Sequence, residues 1–387
     1  MNTLTPLKNE PPIVESFIPP QRLLMGAGPS RVHKDVLNIM SQTTIGHLDP
    51  EMIKMMDELK EMLRYAFQTK NSLTFPVSGP GSLGMEACVN NIVEPNQKVL
   101  IAINGVFGSR MAEVARRAGA DVITTEDEWG KAVDINKVKD AIDSNPEIST
   151  LGFVHAETST GVMSDAGALC QLAANNNIMT IVDTVTSLAG IPVNVDVWGA
   201  DAVYSGTQKC LSCPPGLSPV TFSEKAVEKV LNRSSPVQSW LLDLSLVANY
   251  WQGDSQSGVR TYHHTAPVNA LMGLHEALRR VVAEGLDGVW ARHRETSNII
   301  VTGLESMGFK MLVDQSVRLP ELLTVLLPTN VEDGPVRSRL LNEFNIEISA
   351  GLGPFAGKLW RIGVMGEGAR PKNAQKLLEA IDECLKN

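Results

Sequence analysis

Ile178-Met179-Thr180-Ile181-Val182-Asp183, followed 26 residues later by Lys209 in Ser205-Gly206-Thr207-Gln208-Lys209, is the stretch on which the fold turns. The first run is apolar and ends on a carboxylate, so it reads as a strand. In open parallel sheets ligands bind beyond the carboxyl ends of the strands, and an Asp there faces the crevice. A loop or helix and a short strand, Ala202–Tyr204, fit between Asp183 and Lys209, so both side chains can reach the same place. Outward from this stretch, strand-like and helix-like segments alternate. The other strand candidates are Leu73–Val77, Lys98–Ile103, Asp121–Thr125, Thr150–His155 and Ser218–Phe222. Between them lie helix candidates Ser82–Ile92, Ser109–Ala118, Ile135–Ser144 and Ala166–Asn175. This alternation predicts an α/β fold with a mostly parallel sheet flanked by helices.

The pattern changes after Phe222. Two long helical stretches follow, Ala266–Ala283 and Leu286–Met307. Then come strand candidates Leu322–Leu327, Glu347–Ser349 and Leu359–Ile362, and a last helix from Lys372. The expected organisation is an N-terminal arm over 1–22, a large domain over 23–284 and a small C-terminal α/β domain over 285–387. The Pro-rich residues 1–22 read either as a mobile tail or as an arm laid across a partner subunit. Met52, Met55, Met56 and Met62 are spaced like one helix face, for a core or a dimer surface.

The 387 residues carry a formal net charge of −9, so no global positive field exists to hold nucleic acid or an acidic membrane. An anionic substrate needs local positive groups. Five cysteines, an odd number over a long chain, do not describe a disulfide framework. The first 20 residues hold five prolines and no apolar core, which is not a signal peptide. No stretch approaches the ~20 apolar residues of a membrane helix. The ending Glu383-Cys384-Leu385-Lys386-Asn387 is not of the peroxisomal Ser-Lys-Leu type. A cytoplasmic location is expected.

An Asp at a strand end often only caps the next turn, and a lone Lys is most often at the surface. The pair has a sharper reading. Pyridoxal 5′-phosphate needs a lysine amine to form a Schiff base with its aldehyde. It also needs a carboxylate to keep the ring nitrogen protonated, so that the ring accepts electrons from the substrate carbanion. Its phosphate needs a cradle. Ser78-Gly79-Pro80-Gly81-Ser82-Leu83-Gly84 follows a strand and opens a helix, where backbone N–H groups and the positive helix end meet an anion. The glycines also match G-x-G-x-x-G. A dinucleotide site would then place an acid at the end of the next strand, whereas Lys98–Ile103 leads into Asn104-Gly105.

At these residues the chain resembles the class V aminotransferases, and within them the alanine–glyoxylate / serine–pyruvate group. The likeness starts at Leu24-Met25-Gly26-Ala27-Gly28-Pro29-Ser30. It continues through Asn104-Gly105-Val106-Phe107-Gly108, Glu157-Thr158-Ser159-Thr160-Gly161, Val182-Asp183-Thr184-Val185, the Lys209 run, Pro214-Pro215-Gly216, Tyr262-His263-His264-Thr265 and Trp360-Arg361-Ile362-Gly363. It implies a pyridoxal-phosphate transferase of fold type I. Lys209 is then the Schiff-base lysine, Asp183 the ring-nitrogen partner, and Thr158 the partner of the phenolic oxygen. Pro80, Gly81, Ser82 and Gln208 align with the phosphate site, and Phe107 with the stacking ring. Tyr262 and Thr265 match residues that reach the phosphate from the other subunit, which implies a homodimer with shared active sites. Arg361 matches the arginine that takes the substrate α-carboxylate, and Gly28 lies in a loop close to the substrate. The substrates implied are a small amino acid, alanine or serine, and glyoxylate or pyruvate. The chain departs from the animal enzymes where Phe107 replaces Trp, and in the phosphate loop, where Pro80 lacks an N–H and Ser82 replaces His.

Other readings stay open beside this one. They are a ureidoglycine–glyoxylate aminotransferase, a class V lyase or desulfurase, and a catalytically dead fold used for binding. Tyr262 and His47 favour the alanine–glyoxylate side over the ureidoglycine side. No Cys occupies an obvious flexible loop. Cys210 and Cys213 form a C-x-x-C without a second Cys pair and read as small buried residues, not a metal or redox site. His263-His264 is expected to point to opposite faces of a strand, so no metal is expected there.

Overall fold

The computed structural model describes residues 14–253 and 259–386, so the first 13 residues of the expected arm lie outside the described residues. Seven strands form the main sheet: β1 (Leu73–Val77), β2 (Lys98–Ile103), β3 (Asp121–Glu126), β4 (Ile148–Val154), β5 (Met179–Asp183), β6 (Ala202–Tyr204) and β7 (Ser218–Phe222). Their order is β1-β7-β6-β5-β4-β2-β3. Only β7 runs antiparallel to its neighbours, so the sheet is mostly parallel, as read from the alternation. The central strands are buried on both faces because helices cover both, which is why they are near-continuous apolar runs. The edge strand β3, Asp-Val-Ile-Thr-Thr-Glu, is half-exposed and ends on charges, which discourages pairing with another edge.

A second, four-stranded sheet follows, ordered β8 (Lys310–Met311), β9 (Leu322–Leu326), β11 (Leu359–Gly363), β10 (Ser349–Ala350). Helices Leu286–Ser306 and Pro371–Leu385 pack against each other beside it. The last helix starts on Pro371, where the missing N–H costs nothing. Two hydrophobic cores result, one under the large sheet and one under the small. Leu23 and Met25 pack in the second core. Met52 and Met56 lie on helix Pro50–Phe67 and are fully buried in the first core, with Met55 and Met62 half-buried against it.

Two local expectations change. The strand expected over Glu347–Ser349 divides: Ile346–Glu347 pairs in parallel with Leu23–Leu24, and β10 joins the small sheet. The helix expected from Ser109 begins at Val106. Its first turn is capped from elsewhere in the fold, by the Glu157 carboxylate accepting from the Phe107 N–H at 3.1 Å. Nothing local to Val106-Phe107-Gly108 signals that cap.

Candidate active site

The register sets Asp183 beside Val154 on one side and Tyr204 on the other, at the carboxyl end of the sheet. Asp183 is 2% exposed. Its two oxygens accept from the Tyr204 hydroxyl at 2.6 Å and the Val185 N–H at 2.8 Å. Burial pushes its carboxyl up to about 7, against the pull of those two donors. Among the described residues it has no ion-pair partner, and a buried carboxylate is costly until a cation comes to it.

Lys209 sits on the loop after β6. That loop is tied to the Gly28-Pro29-Ser30 turn: the Ser30 hydroxyl donates to the Lys209 carbonyl at 2.6 Å and the Ser30 N–H to the Gln208 carbonyl at 2.7 Å. The Lys209 ammonium is buried and donates to the Ala27 carbonyl. Burial first, and then the Arg361 guanidinium, lower its pKa to about 8. Gly28 holds a left-handed φ of +107°, and a Cβ there would lie 2.5 Å from the Lys209 Nζ. Glycine is needed on both counts.

The loop expected to cradle phosphate leaves β1 and opens helix Gly81–Ile92 with Pro80 as its N-cap. Gly84 lets that helix press against Ser218 and Tyr204, which brings its N-terminus down to the sheet end. A cavity of about 210 Å³ is lined by Pro80, Gly81, Ser82, Phe107, Asp183, Gln208 and Lys209, seven of the residues singled out above. Met85, Arg110, Val185 and Tyr204 complete the wall, and the sequence reading named none of the four as a site residue. Tyr204 is legible only through the β5–β6 register. Arg110 lies two residues past a quoted run but carries no motif of its own.

Thr158 and Arg361 are not in the wall of this cavity, though the Arg361 guanidinium is near enough to Lys209 to lower its pKa. Arg361 is held by its Nε–H, which donates to the Ala350 carbonyl at 2.8 Å, and by Nη1–H, which donates to the Thr158 carbonyl at 3.3 Å. The Thr158 hydroxyl bonds that of Thr186. Tyr262 and Thr265 are exposed and do not line the cavity of their own chain. The expectation for His263 and His264 is corrected. The segment is irregular, not a strand, and the two Nδ1 atoms meet at 2.8 Å. Among the described residues no three His, Cys, Asp or Glu side chains converge as metal ligands. All five cysteines are buried, Cys210 and Cys213 included.

The residues fit pyridoxal phosphate on structural grounds. A buried carboxylate without a cation faces the cavity that a buried lysine enters. The cradle end offers the helix N-terminus and the Gln208 amide, whose Oε1 has no partner among the described residues. An amide turns over readily to present its NH₂ instead.

This α/β architecture, with its larger mostly parallel sheet and smaller C-terminal sheet, is that of the fold type I transferases. Residues 23–356 match the family described as Aminotransferase class-V, and the chain belongs to that family. The family implies a pyridoxal-phosphate cofactor. An alanine–glyoxylate aminotransferase of Oryctolagus cuniculus is 38% identical over 369 residues, covering 95% of this chain and 93% of that one. The crystal structure of an alanine–glyoxylate aminotransferase from Nostoc sp. superposes with a TM-score of 0.93 at 42% identity, over 97% of this chain and 98% of the other. That of a ureidoglycine–glyoxylate aminotransferase from Bacillus subtilis gives 0.92 at 36%, over 96% and 94%. No helix among the described residues is long and apolar enough to cross a membrane.

Proposed function

We propose that the chain is a pyridoxal-phosphate aminotransferase that moves an amino group from alanine or serine to glyoxylate or pyruvate. One observation carries the reading: Lys209 and Asp183 line a single cavity with the Pro80-Gly81-Ser82 loop and Phe107.

When bound, pyridoxal phosphate supplies an aldehyde for the amino group and a ring that draws electrons from the substrate carbon. The chain's residues do the rest. Lys209, lowered to about 8, gives up its proton more readily than a free lysine and serves as nucleophile and then as proton carrier. Asp183 would hold a proton on the ring nitrogen, and Tyr204 fixes its carboxylate. Gly81 and Ser82, at the helix N-terminus, would offer N–H groups to the phosphate. Phe107, in the cavity wall, would bound the ring. Arg361, anchored at Nε and Nη1, keeps N–H donors free for a carboxylate, which its planar fork matches in two parallel bonds. Tyr262 and Thr265 are exposed on their own chain, which leaves them free for the role the resemblance gives them in a second copy, and the reading takes the active unit as a homodimer. Sedimentation tests this point: a fully active monomer would overturn it.

Half-reaction spectra test the substrate. The cofactor's conversion from its aldehyde to its amine form is followed with alanine, serine, glutamate, aspartate and ureidoglycine. Alanine or serine is expected to react with the highest specificity. A preference for glutamate or aspartate overturns the small-donor reading. A preference for ureidoglycine establishes the second reading, which has its own support because relatives of both kinds resemble the chain at 36% to 42% identity.

A further inference from the structure

Arg110 borders the cavity, and the reading above leaves it without a task. With Lys209 it is one of two cationic side chains in the cavity wall among the described residues. It projects from helix Val106–Arg117, is exposed, and among the described residues pairs with no carboxylate. Yet it is not loose. Its guanidinium carbon lies 4.9 Å from the centre of the Phe107 ring, and its Nη1–H donates to the Ser82 hydroxyl at 3.3 Å. One guanidinium therefore touches both the stacking ring and the phosphate loop.

A phosphate monoester carries about −1.5 to −2 charges near neutral pH. The cradle meets this with neutral donors: the Gly81 and Ser82 N–H groups, the Ser82 hydroxyl and the Gln208 amide. Pro80 contributes no N–H. The helix end adds only about half a positive charge. Lys209 is taken up by the cofactor's aldehyde in the proposed function. Among the described residues of the cavity wall Arg110 is the cation left, and its fork suits phosphate oxygens. Contact with the Phe107 face holds it at the rim instead of in open water.

We propose that Arg110 is a further cofactor-binding residue, which supplies the full positive charge opposite the phosphate, directly or through Ser82. The inference rests on the reading that this cavity takes pyridoxal phosphate. The bland alternative is an arginine that only braces the Phe107 ring.

Pyridoxal, which lacks the phosphate, separates the two. The full-length protein is stripped of cofactor and titrated with pyridoxal phosphate and with pyridoxal, following absorbance. Arg110→Gln is expected to weaken pyridoxal phosphate roughly tenfold or more, the scale of one charge-assisted hydrogen bond, and pyridoxal by less than about twofold. Arg110→Lys, which keeps charge but not the fork, should recover part of the loss. Arg116→Gln, which removes the same charge from an exposed site further along the helix, should change neither. Equal weakening of both ligands, or of neither, overturns the inference while leaving the cofactor reading standing. A wild-type protein that binds pyridoxal phosphate no better than pyridoxal overturns both.

Discussion

Tyr204 donates its hydroxyl to Asp183 at 2.6 Å, across a register that sets the two side by side on β6 and β5. Tyr204 is fully buried, and its bond favours the ionised carboxylate. Tyr204→Phe removes one of two donors and lets burial push the Asp183 carboxyl higher still. The acid limb of the kcat–pH profile should then move to higher pH, with kcat lowered by about tenfold, the worth of roughly one buried hydrogen bond. The cofactor should stay bound. An acid limb that does not move would show that Tyr204 only packs.

Gly28 and Lys209 share one small space. A Cβ on Gly28 would sit 2.5 Å from Nζ and 2.9 Å from Cδ and Cε, at a φ of +107° that L side chains avoid. Gly28→Ala should displace Lys209 and strain the turn by about 1–3 kcal/mol. The expected result is a folded protein in which borohydride fixes little cofactor on Lys209. Mass spectrometry of the reduced protein checks it, and full labelling would contradict the geometry.

Arg361 is anchored at two nitrogens and buried at 9% exposure. Arg361→Lys keeps a charge but cannot hold the Ala350 and Thr158 carbonyls and a carboxylate together. The loss in kcat/KM for alanine should be about 2–5 kcal/mol. An amine lacking a carboxylate should lose far less, so the ratio of the two is the measurement.

Glu321 is fully buried, and neither of its oxygens has a hydrogen-bond partner in another residue among the described residues. Burial pushes its carboxyl from 4.5 up to about 8. The folded state therefore holds this proton more tightly than the unfolded chain does. The stabilisation is fully present below pH 4.5 and is lost as pH rises through about 8. Glu321→Leu removes this dependence. Melting curves at pH 6 and pH 9 should show wild type losing more stability than the variant by roughly 1.4 kcal/mol per unit up to pH 8. Both proteins are compared in the same cofactor state, so the share of Asp183 cancels. Equal losses would refute the assignment.

Much of this was legible in the chain itself. Apolar runs read as ending at Val77, Ile103, His155, Asp183 and Tyr204 announce parallel strands because both their faces must be covered, although the fourth strand of the sheet ends at Val154. Glycines at 79, 81 and 84, around the start of a helix that follows a strand, point to an anion cradle. The order of Asp183, Gln208 and Lys209 along the chain brings three groups toward one end of the sheet, beyond its strands' carboxyl termini. What no local pattern carries is which strand lies beside which, and in what register. Strand neighbours are chosen by the packing of whole faces, so Tyr204 becomes a partner of Asp183 only once β6 lies against β5. Long-range contacts decided the rest in the same way. Glu157 caps a helix 50 residues away in sequence, Ser30 ties down the loop of Lys209, and Arg110 reaches Ser82 from a different helix. The sequence by itself determined the elements and the chemical types at their ends. The tertiary structure alone decided which of those groups touch, because side-chain contact depends on distances that chain separation does not set.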